Sequence, residues 1–203
     1  FDLVGDKLEF AGAVTDVALE DFKGVPYVRN GSATVVGTER SVQIALDDKN
    51  VALGFLNFYD EPFRFDALSG EVLLWFRPGY LALLGGKLEG AVGGMTAHGQ
   101  FALGRPEDPL EQRFFAKLRV NDVDARTALT YVPNPLSVRG WLDESILGGH
   151  VDEADLLYHG HLRTVESLPM RQAELRIRLH DSAVRFHPQW PVAEGVAGQV
   201  LVT

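Results

Sequence analysis

A pair of histidines gives this sequence its clearest capacity for chemistry. His159 and His161 flank Gly160, and side chains at positions i and i+2 of a strand share one face, where two imidazoles could bind a metal ion with His150 as a third ligand. The zinc hydrolase version of such a motif has further His and Asp ligands close behind it, whereas LRTVES follows here. We therefore expect a solvated strand face, and we predict no metal site.

A pool of acidic and imidazole side chains near turns and helix faces could support acid–base chemistry. General acid–base catalysis needs two groups held in one pocket with separated pKa values, and the sequence shows only proximity. GxSxG, a phosphate loop and GxGxxG are absent, and the glycine-rich segment 85–94 lacks the spacing that cradles phosphates. We predict no enzyme activity and no cofactor. The pool consists of Asp143, Glu144, Asp152, Glu153, Asp155, His180, Asp181 and His187.

Aromatic residues are concentrated in the first half of the chain. Core packing is the simplest explanation for each of them, and together they predict an unusually apolar sheet face. They are Phe55, Phe58, Tyr59, Phe63, Phe65, Trp75, Phe76 and Tyr80.

Composition excludes several partners. The 203 residues carry a net charge of −9, which argues against nucleic acid or an anionic membrane surface, while a neutral or zwitterionic ligand stays open. The chain has no cysteine, so it forms no disulfide and no thiolate zinc site. The longest apolar run, 72–84, is interrupted at 77–79 and is too short to span a bilayer. Without an initial methionine or a signal peptide, the chain reads as an excerpt from a longer protein.

Alternation of apolar and polar residues is the dominant pattern and predicts strands with one buried face. The segments 94–104 and 113–120 alternate most cleanly. The segment 81–86, which overlaps the predicted strand Leu83–Ala91, also fits a helical turn. An Asp181-Ser182 turn is expected to separate the last strands. The predicted strands are Phe10–Leu19, 31–37 paired with 41–48, 51–59, Phe63–Trp75, Leu83–Ala91, 94–104, 113–120, Val151–Leu162, 173–180, 182–188 and 198–203.

Two short helices are predicted between these strands. Asp124 begins the first, with Ala125, Ala128, Leu129 and Val132 on its apolar side. The second spans 135–147, with Asn134 as N-cap, Pro135 at the first position and Gly148-Gly149 as a left-handed stop. Because this helix feeds directly into a strand, its apolar stripe should cap the sheet. The stripe consists of Val138, Trp141, Leu142 and Ile146.

The order of these elements predicts the fold class. No helix long enough for a βαβ crossover separates most strands, so the sheet should be a largely antiparallel meander with one apolar and one polar face. Few helices are available to cover the apolar face, so something else must cover it. We treat residues 1–203 as a single segment, with a sub-boundary at the helical insert 121–149 as an option.

Two stretches, LGGHVDEADLLYHGHL and LPMRQAELRIRLHDSAVRFHPQWP, resemble the repeated signature of the AsmA-like envelope proteins of Gram-negative bacteria, in the YhdP branch. That signature is a helix ending in GG, a strand V-x-x-A-x-L-x-Y-x-G, and a strand pair finishing in a Tyr/Phe-x-P-x-Trp-Pro corner. FDALSGEVLLWF and the VDARTALTYVPNPLSVRGWL segment also fit the family plan, whereas the aromatic cluster at 55–65 and His161 have no family counterpart. The matching positions are Gly148, Gly149, Val151, Ala154, Leu156, Tyr158, Gly160, Ala183, Phe186, Pro188, Trp190 and Pro191.

The resemblance implies a mainly β fold in which a curved antiparallel sheet of about ten strands forms an open U-shaped trough, capped by one or two short helices. It further implies a periplasmic segment of a bridge-like lipid-transfer protein, anchored in the inner membrane by an N-terminal helix that this sequence lacks. The implied partners are phospholipid or fatty acyl chains and neighbouring segments of the same chain. The groove candidates are Val42, Ile44, Leu46, Phe101, Leu103, Phe114, Leu118, Leu156, Tyr158, Leu175, Ile177, Leu179, Val184 and Phe186.

Two alternatives stay open at this point. A closed β-sandwich would pack two apolar faces on each other and serve as a scaffold or interaction module of the envelope. A metal-dependent hydrolase would use His159 and His161. An open trough predicts that inward positions such as Ile177 or Leu179 accept aspartate with modest loss of folding, whereas a sandwich predicts that they do not.

Overall fold

The part of the chain that the structure describes contains ten strands and two short helices. A computed structural model describes residues 8–20, 27–54, 59–108, 111–134, 138–161 and 172–203. The helices are α1, Ala125–Leu129, and α2, Arg139–Ser145, and both lie between β7 and β8. The strands are β1 Glu9–Leu19, β2 Tyr27–Thr38, β3 Ser41–Gly54, β4 Phe63–Arg77, β5 Tyr80–Val92, β6 Met95–Pro106, β7 Arg113–Asp124, β8 Ile146–Gly160, β9 Gln172–Val184 and β10 Ala193–Val202.

All ten strands belong to one sheet whose spatial order is the chain order, β1 to β10. Every neighbouring pair is antiparallel, which confirms the predicted meander. The sheet is unclosed, because β1 and β10 are its two edges. β7 and β8 pair directly, so the sheet continues past the helices between them.

The predicted alternation is clearest in β9. Leu175, Ile177 and Leu179 are at most 5% exposed. Arg176 and Arg178, which lie between them, are exposed. This confirms the predicted phase of the strand. The segment 81–86 is also extended, as part of β5, so the helical-turn alternative was wrong.

In two strands, residues that share the apolar side are three positions apart instead of two. In each case a residue in the left-handed conformation lies between them. In β5, Gly85 pairs with Phe101 and Leu88 with Gly99, and Lys87 between them has a φ of +52°. In β7, Val120 pairs with Ala154 and Val123 with Val151, and Asp122 has a φ of +59°. An extra residue of this kind changes the phase of a strand. Apolar side chains therefore stay on one face despite the irregular spacing.

The first helix begins where predicted but ends at Leu129, so Val132 lies beyond it. Asp124 is the N-cap of α1, and its carboxylate accepts a hydrogen bond of 2.9 Å from the Thr127 amide. Ala125 and Leu129 are buried on the sheet side.

The second helix is shorter than the predicted 135–147. It begins at Arg139 after Val138, which makes no side-chain cap, so the prediction of Asn134 as N-cap was wrong. Pro135 lies outside the described residues. The helix also ends at Ser145, and Gly148 and Gly149 lie in β8. Gly149 has a φ of +121°, and a Cβ there would lie within 2.2 Å of the Ser182 hydroxyl, so close strand approach requires this glycine.

Three further boundaries differ from the predictions. The Asp181-Ser182 turn does not form, because β9 continues to Val184 with Asp181 at a φ of +47° and Ser182 fully buried. β8 runs from Ile146 to Gly160 instead of Val151–Leu162. Of the predicted strand 51–59, residues 51–54 end β3 and 55–58 lie outside the described residues.

Replacing Asp124 with alanine tests the N-cap of α1. Loss of an N-cap side chain costs about 1 kcal/mol, which urea unfolding at pH 7 should detect. The hydrogen bond from the Thr127 amide lowers the pKa of Asp124 below its ordinary 3.8. A lowered pKa in the folded state means that the stabilisation exists above the unfolded-state pKa and is lost as the pH falls through the folded-state value. The stability difference between D124A and the native chain should therefore shrink below pH 3.8.

The matched control is Asp60→Ala, at an exposed bend. It should change the free energy of unfolding by less than about 0.5 kcal/mol. An Asp124 effect that persists undiminished in acid would contradict the N-cap assignment.

Candidate functional site

A continuous apolar surface crosses the sheet at right angles to the strands. Residues opposite each other in an antiparallel pair carry their side chains on the same face, so linked pairs trace a row across the sheet. One such row crosses nine strands and contains no charged side chain. It consists of Gly12, Val35, Ile44, Val72, Gly85, Phe101, Ala116, Tyr158 and Ala173. We call the face that bears this row the apolar face.

Neighbouring rows on the apolar face also contain no charged side chain. One consists of Phe10, Gly37, Val42, Leu74, Leu83, Leu103 and Phe114. Another consists of Leu88, Gly99, Leu118, Leu156, Leu175 and Val202. A third consists of Gly90, Ala97, Val120, Ala154, Ile177 and Val200.

The opposite face carries ion pairs. Arg119 lies between two acids of β8, with its Nε 2.7 Å from Asp155 and its Nη1 3.3 Å from Glu153. The hydrogen bond to Asp155 raises the pKa of Arg119 above its ordinary value. Arg178 of β9 lies 3.4 Å from Glu153 on its other side. At β7 to β9 these pairs make the opposite face polar and hydrated. At β4 and β5 the opposite face instead carries two exposed leucines, Leu73 and Leu84.

The helices cover one end of the apolar face. Leu142 of α2 is fully buried, and Leu129 of α1 is 4% exposed. Both belong to one core cluster with strand residues of the apolar face, including Val151 and Ile177. Arg126 fastens α2, because its Nη1 donates to the carbonyls of Asp143 and Ile146 at 3.0 and 3.1 Å. We call α1, α2 and the described residues between them the cap.

Aromatic contacts extend the cap toward β4. The Tyr59 hydroxyl donates a 2.9 Å hydrogen bond to the Tyr131 carbonyl, just after α1. Phe63 stacks on the Tyr131 ring at a centroid distance of 5.4 Å and meets the edge of Tyr59 at 4.5 Å. Burial raises the pKa of both tyrosines. This cluster joins two segments 72 residues apart and closes that side of the cap.

Beyond the cap the apolar face is only partly covered. Leu74, Leu83 and Phe101 are half-buried. Phe76 is 36% exposed, compared with 4% for Leu179 under the cap. Leu74 and Leu83 were not among the predicted groove residues. The apolar face thus has a covered end and a partly open end.

A small cavity remains beneath α1. Its volume is about 40 Å³, and its lining includes Leu118, Leu129, Leu156 and Ile177. A water-sized sphere needs roughly 10–15 Å³, so the cavity has room for about three of them. An acyl chain does not fit there.

The sequence matches the YhdP protein family over residues 2–203. The chain belongs to the YhdP family. Membership in this AsmA-like branch indicates a lipid-transport-like protein of the cell envelope. No curated protein and no solved structure matches the chain. In the part of the YhdP-family chain that the structure describes, no helix has the length and apolar character to cross a membrane.

The YhdP signature has a structural explanation in β8. Val151, Ala154, Leu156 and Tyr158 all belong to the apolar face, through their pairs with β7 and β9. A strict alternation would not place both Val151 and Ala154 there, but the register between β8 and β9 shifts between Val151 and Glu153. The V-x-x-A spacing of the signature therefore encodes a bulge followed by regular strand.

Most predicted groove residues share the apolar face, but they differ in exposure. Leu175, Ile177 and Leu179 lie under or beside the cap, and Val184 pairs with Ile146 at the same end. Phe186 lies beyond the end of β9 and is 52% exposed, so it is not part of this face. The residues on the partly open end are Val42, Ile44, Leu46, Phe101 and Phe114, with Leu103 buried among them.

The predicted capping stripe is divided between a helix and a strand. Leu142 is buried in α2, whereas Ile146 is 1% exposed at the start of β8. Val138 packs against the core cluster just before α2. Trp141 is 38% exposed and does not join the cluster, and Ser145, at 3%, is buried instead.

The histidines are arranged differently from the expected pair. His159 is exposed on β8, but His161 lies after the strand and is 5% exposed, so the expectation of a solvated position for His161 was wrong. The Nε2 atom of His161 lies 3.1 Å from Nη1 of Arg113, whose cationic guanidinium disfavours a metal ion there. His150 is not near this pair and lies beside His180, with ring centroids 4.7 Å apart.

The acidic pool does not converge on a pocket. Asp143 pairs with Arg139 along α2, and Glu153 and Asp155 belong to the ion pairs of the opposite face. Asp152 and His180 form a separate pair, with 2.8 Å between Asp152 Oδ1 and His180 Nδ1. Asp143, Glu153, Asp155, Asp152 and His180 thus have structural partners on the surface.

Leu142→Ala tests the contribution of the cap to stability. Leu142 is fully buried, and removing a leucine side chain from a packed core costs about 2–5 kcal/mol. Thermal or urea unfolding should show a loss in this range. Leu157→Ala, on the opposite face at 41% exposure, is the matched control and should cost less than about 0.5–1 kcal/mol. Equal losses for the two variants would show that the cap does not stabilise the fold as described.

Proposed function

We propose that this YhdP-family chain is a periplasmic segment of a bridge-like lipid-transfer protein, and that its apolar face shields phospholipid acyl chains between the inner and outer membranes. The observation that carries this proposal is the uncharged row across nine strands, from Gly12 to Ala173. The cap covers only one end of that face. Acyl chains are apolar, so they match the part of the face that the cap leaves uncovered.

The free energy of acyl-chain burial is large enough to support this role. Transfer of each methylene out of water contributes about 0.8 kcal/mol. About ten methylenes on the apolar face would therefore contribute on the order of 8 kcal/mol. The zwitterionic or anionic head group would stay in water at the open side, so the site needs no cationic pocket.

The length of the row also suits acyl chains. Strands are spaced by about 4.8 Å, so eight intervals between nine strands span about 38 Å. The acyl chains of one leaflet extend about 15 Å, half of a bilayer core. Two chains could lie end to end along this segment. Movement would be diffusive, because the sequence contains no nucleotide-binding motif to drive it.

The unclosed edges give the segment a way to join its neighbours. β1 and β10 each have one side that pairs with no described strand, and neighbouring segments of the full-length chain would add strands there. The apolar face would then continue from one segment to the next. In this proposal an N-terminal helix outside residues 1–203 anchors the protein in the inner membrane.

A two-sheet sandwich does not describe these strands. All of them belong to one sheet, so within the described residues there is no second sheet to cover the apolar face. The expectation that aspartate is tolerated at Ile177 or Leu179 was also wrong in its choice of positions. Both are 4% exposed under the cap, where an unpaired carboxylate would unfold the protein.

Adjacent leucines of β5 allow a sharper test. Leu83 belongs to the apolar face and is half-buried, whereas Leu84 pairs with Leu73 on the opposite face and is 43% exposed. Leu83→Asp should reduce copurified phospholipid, measured by mass spectrometry of organic extracts, at least tenfold. Uptake of a fluorescent fatty acid should fall in parallel, because the charge interrupts the apolar row.

Leu84→Asp is the matched control and should retain lipid. Circular dichroism of both variants separates loss of lipid from loss of fold. A native chain that copurifies with no phospholipid and takes up no fatty acid would refute the proposal, and so would equal lipid loss in both variants.

A further inference from the structure

Two histidines and an aspartate from neighbouring strands meet near the cap. His150 of β8 pairs with His180 of β9, and Asp152 follows two residues after His150. Each of the three has one ligand atom within 4.8 Å of the others. His150 also pairs with Asp124 of β7, the N-cap of α1. The three residues therefore lie at the end of the sheet where the cap begins.

Irregular register brings these residues together. The register between β8 and β9 shifts twice in this region. One shift lies between Gly148 and His150, and the other lies between Val151 and Glu153, at Asp152. Residues i and i+2 of a strand face the same way, so His150 and Asp152 can both reach the ring of His180, which is paired with His150. Bulges re-aim side chains in this manner and are frequent beside functional sites.

Both histidines are already held by carboxylates. His150 Nε2 lies 2.8 Å from Asp122, and His180 Nδ1 lies 2.8 Å from Asp152. A histidine that uses one ring nitrogen for a carboxylate is oriented to offer the other to a metal ion, and the carboxylate makes that nitrogen more basic. For His150 that orienting partner is Asp122, whereas Asp152 is itself a ligand candidate, so a bound ion would replace the contact between Asp152 and His180.

We propose that His150, His180 and Asp152 bind a divalent transition-metal ion, with Zn²⁺ as the best match. Two imidazoles and a carboxylate are the ligand types that zinc prefers, and the overall charge of −9 favours a cation. Asp122 orients His150, and a water molecule completes the tetrahedron. The side chains of His150, Asp152 and His180 are 33%, 41% and 43% exposed, so the ion enters from solvent.

The geometry requires only small side-chain movements. Zinc ligand bonds of about 2.0–2.1 Å place tetrahedral ligand atoms about 3.3 Å apart. The present spread of up to 4.8 Å must therefore contract by about 1.5 Å, which side-chain rotation at a half-exposed site can supply. The metal would join β8 to β9 beside the cap. The role is structural and does not depend on the proposed lipid function.

Equilibrium dialysis of the tag-free 203-residue chain against zinc chloride tests the proposal. We expect one zinc ion per chain by elemental analysis, with micromolar or tighter affinity, and a rise in thermal midpoint that EDTA reverses. His150→Gln and His180→Gln should each lower the affinity at least tenfold. Asp122→Asn should lower it about 10- to 100-fold, as expected for an orienting carboxylate.

His98→Gln is the matched control, because His98 also lies near an acid, 3.7 Å from Glu89, but on β6. It should leave zinc binding unchanged. Absence of stoichiometric zinc in the native chain overturns the proposal, and so does binding that survives in the His150→Gln, His180→Gln double variant. A melting curve in EDTA that matches the native chain shows that each variant folds.

Discussion

Separation of apolar and polar side chains onto the two faces of a single sheet is the constraint on which this structure depends. A sheet of ten strands with one apolar face cannot leave all of that face in water, so either protein or ligand must cover it. Left-handed residues such as Lys87 and Asp122 preserve the separation where the sequence spacing would break it. At β7 to β9 the opposite face carries Arg119 among its acids, which keeps that side hydrated.

The cap covers the apolar face at one end and leaves it partly exposed at the other. Leu142 and Leu129 make a conventional core with the ends of β7 to β9, which gives the segment a rigid, folded part. The Tyr59 hydrogen bond to Tyr131 extends that part toward β4. Half-buried residues such as Leu83 continue the same surface into the open. The end that stabilises the fold is thus distinct from the end proposed to bind acyl chains.

Sequence alone predicted the meander, the two-faced sheet and most strand phases, because alternation with period two is a local signal that tertiary contacts rarely override in such a sheet. It did not predict the limits of α2, since Gly148 and Gly149 suit a helix stop as well as a close strand crossing. It also missed the approach of His150 to His180, because register shifts at bulges depend on both strands at once. Phe186 was misplaced for a similar reason, as the strand ends two residues before it. A positively charged or acidic residue between apolar residues three apart, as at Lys87 and Asp122, is the signal that could have located the bulges.

Strand order that follows chain order has a consequence for how such a protein is made. Every strand pairs only with the strands before and after it along the chain, so each new hairpin can add to an existing edge without waiting for distant sequence. Folding of this kind can proceed from one end as the polypeptide becomes available, much as repeat proteins propagate from a nucleus. A very long chain built on this plan would avoid the slow search for remote partners that limits most large β proteins.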